Sequence, residues 1–79
     1  MPDRRFTYTI VLDPDPEEGG YTVTVPALPG VVTQGDTYEE AIAMAEDAIR
    51  CHVEGLLADG EPVPEERAQP TLARVSVTA

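Results

Sequence analysis

Lysine and tryptophan do not occur in this 79-residue chain, and cysteine and histidine occur once each, as Cys51 and His52. A lone cysteine excludes an intrachain disulfide and any multi-cysteine metal site, which favours a reducing compartment. No run of residues approaches the ~20 apolar positions needed to span a bilayer. The opening stretch, MPDRRFTYTIVLDPDP, lacks the form of a secretory leader: its apolar run is short, alternates with threonine and ends in acid. A soluble cytoplasmic protein is expected. Positive charge is scarce. Five arginines face fifteen aspartates and glutamates, for a formal net charge of −10. Such a surface repels phosphate backbones, so direct nucleic-acid binding is not expected, and neither is contact with a membrane. The same field attracts a basic protein partner, although net charge also serves simply to keep a small protein soluble.

The length fits one domain, residues 1–79, with a thin core. Residues 5–12, RFTYTIVL, alternate with period two, placing Phe6, Tyr8, Ile10 and Leu12 on one side. The turn-forming run DPDPEEGG follows, and then YTVTV, in which Tyr21, Val23 and Val25 share a face opposite Thr22 and Thr24. Two alternating runs across a turn predict an antiparallel hairpin, and threonines on the outer face suit a sheet wet on one side. Pro26 and Pro29 end the second strand because neither can donate to a ladder. Pro29-Gly30 predicts a tight turn with Gly30 free to take positive φ, and Val31–Gln34 a short third strand.

Gly35 and Asp36 lead into Thr37-Tyr38-Glu39-Glu40, which fits a capping box at the start of a helix. The helix is expected from Tyr38 to about Ala58. Its apolar stripe holds Tyr38, Ala41, Ile42, Ala45, Ala48, Ile49, His52 and Leu56, with Val53 at the border. Gly60 is the stop signal. EPVPEERAQP then reads as an extended linker, and TLARVSVTA alternates weakly enough to be a fourth strand. The fold class is α+β, in the order β-β-β-α-β, with one helix packed on a small, mainly antiparallel sheet.

Candidate chemistry is sparse. Asp13, Asp15 and Glu17 followed by Gly19 only loosely resemble a calcium loop: prolines interrupt it, the glycine is displaced, and Thr24 stands at the twelfth position. A solvated hairpin tip, or an acidic knob facing a partner, suits these residues better. His52 has no nucleophile or carboxylate beside it on the apolar stripe, so a core or core-edge histidine is expected. Cys51 belongs to a minor apolar flank with Met44, Ala48 and Gly55. Gly30 and Gly35 match neither the dinucleotide fingerprint nor the nucleotide P-loop. No catalytic residue, metal ligand set or cofactor site emerges.

The order of motifs is more specific than any one of them. GYTVTVP at 20–26, LPG at 28–30, TQGDT at 33–37, the Glu40-Ala41 pair and the GEPVP linker at 60–64 together resemble the HicB family of antitoxins, from about Phe6 to Val77. Pro26, Pro29, Gly30, Gly35, Asp36, Thr37 and Glu40 carry that signature. The resemblance implies a truncated ribonuclease-H-like fold without the nuclease carboxylates. It also implies a non-enzymatic module, a homodimer or homotetramer, that covers the active site of a small basic RNA-cleaving toxin of the HicA type. Asp13, Asp15, Glu17 and Glu18 are the candidate partner contacts. Many members carry a C-terminal DNA-binding segment; here the sequence stops at Ala79 after the predicted last strand, so operator binding is not expected. Two other readings remain open: a metal-dependent nuclease of ribonuclease-H type, and an orphan oligomeric domain that binds a ligand or acts as a scaffold.

Overall fold

The computed structural model of the chain describes residues 4–79; residues 1–3, the first of the stretch weighed as a leader, lie outside the described residues. Three strands, β1 (Val11–Pro14), β2 (Tyr21–Thr24) and β3 (Val32–Gly35), precede a single helix, α1 (Tyr38–Ala58). The sheet order is β1-β2-β3, with both pairs antiparallel. Leu12, Val23 and Thr33 stand opposite one another in the register, so they share the face that α1 covers, together with Tyr21 and Gly35. Thr22 and Thr24 fall on the other face, as the alternation predicts.

The core comprises two small clusters. Val23, Ala41 and Ala45 are packed by Ile10, Leu12 and Tyr21; Val25, Leu28 and Val31 are packed by Tyr8, Ile10, Ala48 and Ile49. Alanines at 41 and 45 let the helix axis approach the sheet. The closest approach is at Gly35, where an added Cβ would lie 2.4 Å from the Ala41 amide nitrogen. Only hydrogen fits there.

Both helix ends are closed as the sequence predicts. Thr37 Oγ1 accepts from the Glu40 amide at 3.0 Å, while Glu40 Oε1 accepts from the Asp36 amide at 3.1 Å. The reciprocal bond therefore reaches one residue further back than in the usual capping box. At the C-terminus, Gly60 takes φ +69°, its amide donates to Leu57 O, and the Glu61 amide donates to Leu56 O. This is a Schellman closure, which needs a residue in the left-handed region at that position.

Four expectations are corrected. Residues 5–10 alternate as predicted but lie outside any strand; ladder pairing begins only at Val11, because the opposite strand leaves the sheet at Pro26. Gly30 does not take positive φ: successive turns, Leu28 N to Val25 O and Val31 N to Leu28 O, each 2.9 Å, carry the chain round with Pro29 and Gly30 in ordinary backbone space. Those turns fold Leu28 inward, where it is almost wholly buried. His52 is exposed rather than at the core edge, and Val53 is buried in its place. The helix face that meets the sheet follows the i, i+4 row 41-45-49-53, which rotates His52 out to water. Finally, TLARVSVTA forms no fourth strand and is exposed throughout.

Candidate functional site

The acidic residues singled out from the sequence are brought together by the β1–β2 turn. Asp13 lies in β1, and Asp15, Glu17 and Glu18 follow in the loop, all exposed. Asp15 organises this loop. Its Oδ1 accepts from the Glu17 amide at 2.9 Å and the Glu18 amide at 3.1 Å, and its own backbone exchanges bonds with Gly19 and Gly20 at 3.0 Å. The Glu18 and then the Glu17 amide bonds hold the Asp15 carboxyl below the usual aspartate range, because they stabilise its charged form. The loop thus presents its carboxylates from a fixed turn.

The tertiary structure adds acidic residues from elsewhere in the chain. Gly20 lies against the Gly35–Asp36 backbone, with an added Cβ only 2.7 Å from Gly35 O, and Tyr21 meets Tyr38 edge-on at 6.2 Å between ring centroids. The hairpin tip and the start of α1 therefore occupy one end of the molecule. Asp36 and Glu39 join Asp13, Asp15, Glu17 and Glu18 there, while Glu40 turns back onto the Asp36 amide. No arginine occurs between Arg5 and Arg50, so neither the hairpin nor the first three turns of α1 supply a cation to this end.

Along α1, Arg4, Arg5, Arg50, Glu46 and Glu54 line a groove of about 840 Å³ between residues 4–10 and the helix. Its apolar floor includes Ile10, Ile42, Ala45, Ile49 and Val53. Arg4 stacks over Phe6 at 4.8 Å. The outer wall is tied to the segment following the helix: Tyr8 Oη donates to Pro64 O, and Glu66 accepts from the Thr9 amide at 2.6 Å and the Thr9 hydroxyl at 2.8 Å. Burial, and then the Glu65 charge, push the Tyr8 phenol up, keeping it a donor. The sequence reading missed this groove. Its only signal was the Phe6-Tyr8-Ile10 alternation running past the point where the neighbouring strand could pair.

The geometry defines a small acidic α+β module with an acidic hairpin tip and a groove of aliphatic floor and charged rim. Among the described residues no helix is long and apolar enough to cross a membrane. A family profile described as "HicB_like antitoxin of bacterial toxin-antitoxin system" matches residues 8–75. The chain belongs to this HicB-like antitoxin family. It is 44% identical over 62 residues to a UPF0150 protein of Thermoplasma acidophilum, covering 78% of this chain and 88% of that one. Identity is 42% over 65 residues to a UPF0150 protein of Synechocystis, covering 82% and 81%. To "Antitoxin HicB 1" of Photorhabdus laumondii it is 44% over 61 residues, 77% of this chain but 39% of the relative. The chain thus spans nearly the whole of the short relatives and under half of this named antitoxin.

Proposed function

We propose that this chain is an antitoxin-type module that binds a small basic RNA-cleaving toxin of the HicA type and blocks it by covering its RNA surface. It acts by occlusion in the cytoplasm and performs no chemistry of its own. Family membership supports the antitoxin role. The observation that carries the mode of binding is the acidic end where Asp13, Asp15, Glu17 and Glu18 stand beside Asp36 and Glu39. Such an array attracts a basic partner over a Debye length and makes the association salt-dependent. The Asp15 turn fixes the backbone that carries Glu17 and Glu18 beforehand, which lowers the ordering cost of the loop on binding.

The test is co-expression with a small basic toxin of the HicA type, followed by pull-down at near-physiological salt. A stable complex that suppresses RNA cleavage is expected; failure to form one at that salt would count against the reading. Reversing Asp13, Asp15, Glu17 and Glu18 to lysine should weaken the complex and flatten its salt dependence. If both stay unchanged, the acidic end is not the contact.

A further inference from the structure

We propose that the groove between residues 4–10 and α1 is a docking site for an amphipathic helix of a partner protein, one whose apolar stripe is flanked by acids on one side and bases on the other. The groove has its origin in layer geometry. A helix is about 10 Å across and strands lie roughly 4.8 Å apart, so one helix covers about two strands. Here α1 packs chiefly on β3, less on β2 and least on β1. The chain leading into β1 is left with an open face, on which Phe6, Tyr8 and Ile10 are only half-buried. A second helix lying beside the first completes a layer of this kind.

The floor suits a helical occupant. Ile42, Ala45, Ile49, Val53 and Leu57 line it from α1 at three- and four-residue spacing, the row against which side chains of a neighbouring helix interdigitate. Leu57, at the end of that row, is 45% exposed. The row rises about 22 Å, which is about four turns, or about 15 residues, of a partner helix. An extended segment laid over this floor would press its own amide and carbonyl groups against aliphatic side chains without partners. A helix satisfies them internally.

The walls set the chemistry of the flanks. The wall formed by residues 4–10 carries Arg4 and Arg5 and no acid. The α1 wall carries Glu46 and Glu54, with Arg50 one turn from each. Asp47 approaches Arg50 at 3.8 Å, so that wall is acidic in sum. One cationic wall and one acidic wall match a helix with opposite charges on its two flanks. A small amphiphile with a single anionic head would leave the acidic wall unanswered.

The probe is a fluorescein-labelled synthetic peptide of about 15 residues, held helical by a covalent crosslink on its outer face. It has leucines along one stripe, glutamates on one flank and an equal number of lysines on the other. Its charges cancel, so the −10 of the chain does not steer it. Fluorescence anisotropy should show saturable binding to the full chain, and L57E should weaken it at least about tenfold. R4E with R5E makes both walls acidic, and E46K with E54K makes both cationic; each pair should weaken binding by about fivefold or more. All four together exchange the walls, and binding should return to near the parent value because the peptide can seat end for end.

No saturable binding overturns the proposal, whether the groove is then filled by the chain's own tail, by a second copy or by nothing. So do binding of sodium laurate that excludes the peptide, wall reversals without effect, and a quadruple variant that fails to recover while its circular dichroism stays native. The assay contains no toxin, so its failure leaves the antitoxin reading standing.

Discussion

Gly35 lies closer to a neighbouring backbone than any other glycine, against Ala41: a methyl group at Gly35 would stand 2.4 Å from the Ala41 nitrogen and 2.6 Å from its Cα. The obstacle is helix backbone, which cannot rotate aside as a side chain can. Gly35→Ala should therefore force α1 off the sheet and lower unfolding stability by about 1–3 kcal/mol. The control is Gly30, which has open space around it and no positive φ. Gly30→Ala should be neutral or stabilise by up to about 1 kcal/mol by restricting the unfolded chain. Denaturant midpoints of the two variants check both signs.

Thr37 closes the helix start with a hydroxyl that Ala lacks and Ser retains. Thr37→Ala should cost about 1 kcal/mol, and Thr37→Ser much less. Thermal unfolding of the pair separates loss of the cap from loss of the methyl group.

Glu66 ties the segment after the helix to Thr9 through both carboxylate oxygens. Glu66→Ala removes an ionised acceptor from a half-buried amide, so a loss of about 1–2 kcal/mol is expected. Hydrogen exchange at the Thr9 amide should accelerate more than exchange at the paired amides of β2. Equal acceleration throughout would mean that the tie is not local.

The Asp15 carboxyl has a lowered pKa in the folded protein, so its turn-forming contribution is complete above the unfolded value, about 4. That contribution fades as pH falls through the lower folded value. Carbon-detected titration should find Asp15 ionising below an ordinary aspartate. Asp15→Ala should be less stable than the parent at neutral pH and converge with it in strong acid.

Leu28 is among the largest fully buried side chains, and it sits in the proline-glycine loop. Leu28→Ala should cost about 2–5 kcal/mol, a core-sized loss from a loop residue. Chemical denaturation measures it directly.

The stretch from Gly20 to Gly60 was legible in the sequence because each of its signals is local. Alternation in YTVTV, the stops at Pro26 and Pro29, the Thr37–Glu40 cap and the Gly60 closure each rest on contacts within a few residues. His52 was misplaced because eight apolar positions define a stripe only to within some tens of degrees; which row faces inward depends on where Gly35 lets the helix sit. The acidic tip was legible as a turn, but its union with Asp36 and Glu39 was not. That union requires Gly20 to lie against Gly35.

By itself, the sequence determined an acidic chain with a hairpin, a third strand and a capped helix, and with it membership of the HicB-like antitoxin family. Only the tertiary structure decided the rest. It gathers charge at the hairpin tip, opens a groove along α1, and leaves the segment 71–78 exposed. The physical reason is range: periodicity and capping are encoded over one or two turns of chain, whereas surfaces are made by residues the fold brings together from afar.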